Sequence, residues 1–172
     1  MKLNRAWSPT LLLFISLNLM AQSAGQKSFD AVKSLTGNWE GKTSMGGAVQ
    51  VSYKSTAGDS AVMAEIKSEM QGKSEDMISM FHMDGDRLLL THYCAAGNQP
   101  RMQASISPDG KTVSFDFLDA TNLASPEDGH MQRVVFTFTD ANHHSEEWHF
   151  INHGKEMVER FDLQKKGLKS FE

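Results

Sequence analysis

Cysteine is almost absent: Cys94 stands alone among 172 residues, so no intramolecular disulfide can form and stability must come from burial. Read as a residue type, a lone Cys94 is first a small buried hydrophobe and only second a reactive thiol. No nucleophile elbow, P-loop, zincin helix or dinucleotide fingerprint occurs anywhere. Long helical patterns are missing too. Basic clusters are absent, and 17 Lys and Arg stand against 21 Asp and Glu. A modestly acidic chain of this kind argues against nucleic acid and anionic membrane as partners.

The only long apolar run is Leu11 to Met20, preceded by Lys2 and Arg5 and followed by the small, polar stretch Ala21-Gln22-Ser23-Ala24-Gly25. At about ten residues it is too short to span a bilayer, which takes roughly 20. A basic start, a short apolar run and a small-x-small site at Ala21 and Ser23 are the parts of a secretory signal peptide. No cysteine follows the run, which excludes a lipoprotein anchor. Residues 1–24 are therefore expected to be removed on export to the periplasm or the medium. Residues 25–172 would form one domain with no membrane span, large enough for a real core and too small for two. Losing Lys2 and Arg5 takes the formal charge from −4 to −6.

What remains is organised by alternation. The spacing of Phe29, Val32 and Leu35 predicts a two-turn helix with Ser28 as its N-cap. Beyond Trp39 the period drops to two. Val49, Val51 and Tyr53 alternate with polar residues, as do Val62, Ala64 and Ile66. Val113, Phe115 and Phe117 repeat the pattern, and so do Val134, Phe136 and Phe138. Such alternation marks strands with one buried face. Ala57-Gly58-Asp59, Asp84-Gly85, Pro108-Asp109-Gly110 and His153-Gly154 fall between these runs as hairpin turns. About ten strands result, and the one long connection, 119–130, would cover an opening. The expected fold is all-β: a short N-terminal helix followed by an antiparallel meander, closed into a barrel because closure removes exposed edges.

The segment Gly37-Asn38-Trp39-Glu40-Gly41 lies between the helix and the first strands. A ring flanked by glycines suits the floor of a small barrel, where backbones approach closely. With the strand meander ending in Glu159-Arg160-Phe161-Asp162-Leu163, this motif resembles the calycin group: lipocalins, fatty-acid-binding proteins and nitrobindin-like barrels. It is similar above all to bacterial exported lipocalin-like domains. The resemblance implies a ligand-enclosing barrel in which a basic residue near the chain end, here Arg160, packs over the floor residue Trp39.

Two hairpins carry the candidate chemistry. If Asp84-Gly85 is a two-residue turn, Phe81 faces Leu88 and Met77 faces His92, and one face holds Met77, Phe81, Leu88, Leu90, His92 and Cys94. That face is the more apolar and is expected to point inward. His92 then either completes the core by bonding a neighbour or orients a ligand beside the polar loop bearing Asn98, Gln99 and Arg101. Around a turn at His153-Gly154, Phe150 faces Met157, Trp148 faces Glu159, and Glu146 faces Phe161. Glu146 and Glu159 would thus enter the interior beside Trp148, where a dry carboxyl has a raised pKa and could serve as an acid or base. Outward, Glu147 pairs with Arg160.

The expected function is therefore enclosure of a small apolar or amphipathic molecule. Tyr53, Phe81, Phe115, Phe136, Trp148 and Phe150 would line the cavity, with Cys94 on its wall and His92, Asn98 and Arg101 at its polar end. A small enzyme using His92 or Glu159, and a filled barrel acting through its surface, are the other readings. Metal is not expected: Met77, Met80 and Met83 do not converge on a strand, and neighbouring His143 and His144 diverge. No cofactor is expected either. The nitrobindin-like resemblance implies haem held by a late histidine, but only His149 and His153 are available, and Thr43 replaces a further glycine of that motif.

Overall fold

A computed structural model describes residues 22–70 and 72–167. The expected signal peptide falls almost wholly outside these residues. Helix α1 (Ala24–Ser34) leads into ten strands: β1 (Gly37–Thr43), β2 (Ala48–Thr56), β3 (Ala61–Met70), β4 (Lys73–Asp84), β5 (Arg87–Tyr93), β6 (Gln99–Ile106), β7 (Thr112–Thr121), β8 (His130–Asp140), β9 (His143–Asn152) and β10 (Lys155–Lys165). Each strand pairs antiparallel with its sequence neighbours, and β1 pairs with β10, so the meander closes into a barrel. Among the described residues no helix is long and apolar enough to cross a membrane.

The helix starts one turn earlier than its apolar spacing suggests. Ser23, not Ser28, is the N-cap, and its hydroxyl accepts from the Gln26 amide at 3.2 Å. Ser28 is tolerated inside the helix because its Oγ donates back to the Ala24 carbonyl at 2.9 Å. The missed signal was Ser23-x-x-Gln26, the spacing of a capping box. Helix α1 packs against β4, β5 and β6, closing one end of the barrel.

The Gly-x-Trp-x-Gly unit does what its composition suggests. Trp39 is buried, and its indole N–H donates to the Leu35 carbonyl at 2.6 Å, tying the floor to the end of the helix. At Gly41 a Cβ would lie 1.8 Å from the Asp162 carbonyl oxygen, so only glycine lets β1 meet β10 there. Arg160 does not cover Trp39. It points outward and bonds Asp162, because its parity on β10 is opposite to that of Phe161 and Leu163. Lys165, register partner of Trp39, places its ammonium 5.5 Å from the ring centroid instead.

The final hairpin has the expected register, with Trp148 opposite Glu159 and Glu146 opposite Phe161. Both turn residues, His153 and Gly154, have positive φ (47° and 72°), as a two-residue turn matching strand twist requires. The β4–β5 hairpin differs by two residues. Asp84 pairs with Arg87, making Gly85-Asp86 the turn, and Ser79 rather than Met77 faces His92. The Asp84–Arg87 ion pair spans that turn. A shift of two keeps every side chain on its face, so Met77, Phe81, Leu88, Leu90 and His92 are inward and buried as expected.

Candidate functional site

The barrel interior divides into two storeys. Toward the helix, Phe81, Phe115 and Phe136 meet edge to face with centroids 5.5–6.0 Å apart. Val32, Val62, Leu88, Leu90, Met102 and Val113, all fully buried, fill the remaining space. Tyr53, Phe81, Phe115 and Phe136, expected to line a cavity, are instead packed core. The three phenylalanine rings meet across the closed end and occupy the space they would otherwise enclose, while Tyr53 packs against His144.

Above this floor lies a buried polar cluster. Glu146 is wholly inaccessible and accepts from three donors: the Tyr53 hydroxyl, Trp148 Nε1 at 2.9 Å and His144 Nε2 at 3.2 Å. A carboxylate so surrounded has its desolvation offset by charge-assisted bonds. Burial pushes the Tyr53 hydroxyl well above its ordinary pKa, and the Glu146 charge and hydrogen bond reinforce the effect. Tyr53 therefore stays a donor. His144 presents its ring edge to Trp39 at 4.3 Å between centroids.

His92 sits beside this cluster, fully buried, with Nδ1 3.0 Å from Ser79 Oγ and its ring 4.8 Å from that of Trp148. Among the described residues its Nε2 has no partner. Burial lowers its pKa to about 4, so the ring is neutral at physiological pH.

Trp148 is the partition between storeys. Its indole N–H points down to Glu146, and its ring forms part of the wall of a cavity of about 420 Å³ at the open end. Met77, Met131, Phe150, Met157 and Phe161 supply most of the apolar wall, with Met45, Ala95 and Ala96 completing it, Cys94 the thiol, and Glu159 the one buried carboxyl. Lys73 and Glu75 stand at the mouth. Glu159 is only 5% exposed, yet among the described residues neither carboxyl oxygen makes a hydrogen bond. Burial raises its pKa above the usual carboxyl value, with a smaller push from the Glu75 charge, while the nearby Thr43 hydroxyl opposes both. Burial likewise raises the Cys94 thiol, which keeps it protonated.

Of the residues expected to form the site, Trp148, Phe150 and Cys94 do line the cavity. His92 faces inward but is not part of the cavity wall, since the tilted ring of Trp148 packs against it. Asn98 is buried at the rim, where its amide donates to the Gly129 carbonyl at 2.8 Å. That bond holds the β5–β6 turn to the 122–129 loop, which also reaches the β9–β10 turn through His153 N to the Glu127 carbonyl at 2.8 Å. The long connection therefore braces the rim. Arg101 lies outside the barrel and pairs across strands with Asp119, because alternation on β6 turns Met102 inward. The alternation placed Met157 opposite Phe150 but gave no sign that it or Met131 lines the cavity, because a strand carries no local sign of its height along the barrel axis.

The fit of haem to these residues can be tested directly. No histidine lines the cavity. His149 faces outward, bonded to Glu147 and Glu156, and His153 occupies the exposed β9–β10 turn. Neither late histidine could reach an iron held at the open end. A broader depression of about 790 Å³ outside β1, β2, β9 and β10 has exposed, mixed-charge walls including Lys42, Gln50, Arg160 and Asp162, which is the character of ordinary surface.

No family model matches the chain, and no curated protein matches it. Among solved structures it is similar to the crystal structure of Rv2717c from M. tuberculosis, with a TM-score of 0.58 and 13% sequence identity over 81% of this chain and 97% of that one. At that identity the likeness is one of fold: a closed antiparallel barrel of similar extent, an architecture compatible with ligand binding.

Proposed function

We propose that the chain is a lipocalin-like barrel that encloses a small apolar or amphipathic molecule at its open end, without chemistry of its own. The observation that carries this reading is the half-filled interior: a closed floor beneath a cavity of about 420 Å³ walled by methionines and aromatics. That volume falls within the range of small-molecule sites, which combine apolar walls with a few placed polar groups. Methionine side chains adapt to the shape of an occupant, and four contribute to the wall. Export is part of the proposal, supported by Lys2, Arg5 and the Leu11–Met20 run. It is checked by the N-terminal mass of protein recovered from the periplasm or medium.

The binding test uses a neutral fluorescent probe, N-phenyl-1-naphthylamine, whose emission rises in apolar surroundings. The protein is expected to bind it saturably in a one-to-one ratio, and Met131→Trp, which fills the cavity, is expected to abolish the signal while the fold persists by circular dichroism. Absence of saturable binding, or binding indifferent to the filled cavity, would overturn the reading.

A further inference from the structure

Glu159 is out of place in an apolar wall. Removing a carboxylate from water without a partner costs several kcal/mol, and the same interior shows the usual remedy at Glu146, which has three donors. Glu159 has only the Thr43 hydroxyl nearby, and among the described residues neither of its oxygens meets a donor in hydrogen-bond geometry, although the residue is 5% exposed. Lys73, the cation at the mouth, forms no ion pair with it. The Glu75 carboxylate stands on the same cavity and adds negative charge. Aromatic rings of Trp148, Phe150 and Phe161 complete the surroundings.

We propose that the occupant of this cavity is an apolar molecule bearing a protonated amine, whose ammonium meets Glu159, with Glu75 as a second carboxylate and the aromatic rings as flanking walls. The inference rests on the ligand-binding reading above and names its chemical class. An ammonium offers several N–H donors, enough to satisfy both Glu159 oxygens at once. Ring faces are attractive to the same charge. A fatty acid or other anion would bring like charge against two carboxylates, which disfavours it. A neutral alcohol would supply one donor and leave the charge uncompensated.

The test is competition. The naphthylamine probe, bound to the full-length protein at neutral pH, is displaced by decylamine, decanol or decanoate, three molecules with one hydrocarbon body and different heads. Decylamine is expected to compete about tenfold or more better than decanol, with decanoate weakest. Glu159→Gln should erase the amine's advantage over decanol. Glu75→Gln should reduce it by a smaller factor, and serves if the Glu159 variant does not fold. If decanol or decanoate displaces the probe as well as decylamine does, the amine inference fails and the cavity reading stands. If the amine's advantage survives Glu159→Gln, the assignment to Glu159 fails. If the probe itself never binds, the cavity reading falls and takes the amine with it.

Discussion

Glu146 and Glu159 come from strands that pair with each other, face the same interior and are both shielded from water, yet they stand in opposite situations. Glu146 lies below Trp148, where the barrel is full, and Tyr53, His144 and Trp148 all donate to it. Glu159 lies beside the cavity, where the barrel is hollow; among the described residues only the Thr43 hydroxyl stands near its oxygens, and none meets them in hydrogen-bond geometry. A buried charge with a complete set of partners belongs to the structure. One without partners is a cost to the folded chain that an occupant could remove. The contrast extends to the apolar residues, since the lower rings fill space and the upper ones bound it.

The largest expected effect tests packing. Phe136→Ala in the closed half should cost about 3–5 kcal/mol of unfolding free energy, because its site is too crowded to collapse without leaving a void. Met157→Ala, at the half-exposed rim, should cost under about 1 kcal/mol. Urea denaturation of both variants measures the difference, and equal costs would erase the distinction between storeys.

A second test uses pH. His92 has a folded-state pKa of about 4 against an ordinary 6.5, so the neutral ring supports the fold fully above about pH 6.5. That support is lost as pH falls from there toward 4, because the unfolded chain takes up the proton first. On the order of 3 kcal/mol should disappear across this window, and His92→Leu should lack the slope.

The two glutamates give the sharpest comparison. Glu146→Gln should destabilise by about 1–3 kcal/mol, since the amide cannot accept from three donors. Glu159→Gln should be neutral or stabilising near neutral pH. A raised folded-state pKa means that stability falls as pH rises between the ordinary carboxyl value and the raised one, so the penalty is absent in acid and complete above the window. Cys94, protonated here, and Lys73 and Glu75 at the mouth are the other titratable groups on that cavity. Thermal melts from acid to neutral pH should therefore show wild type approaching Glu159→Gln from below as pH drops. Destabilisation by both variants alike would dissolve the contrast. Smallest of all, Arg101→Ala should leave Tm unchanged, because its pair with Asp119 is solvent-exposed.

How much of this was legible beforehand follows from what each feature depends on. Alternation placed Glu146, Trp148, Glu159 and His92 inside, and the observed parities agree. Even the two-residue slip in the β4–β5 hairpin left the faces intact. The helix start was legible too, in Ser23-x-x-Gln26, but apolar spacing drew the boundary to Ser28. The Tyr53–Glu146 bond joins residues 93 positions apart, and no local pattern announces it. Alternation already turned Arg160 outward, opposite Glu147, but that Lys165 covers Trp39 in its place was decided by the β1–β10 register.

The order of residues alone determined the all-strand meander, its turns and the inward face of each strand, because those depend on a period of two and on turn chemistry within a few residues. Tertiary structure alone decided the height of each inward side chain along the barrel axis, and with it which carboxylate found donors and which was left facing a hollow. Height depends on how strands stagger when the sheet closes, and that stagger is a property of the whole ring of strands.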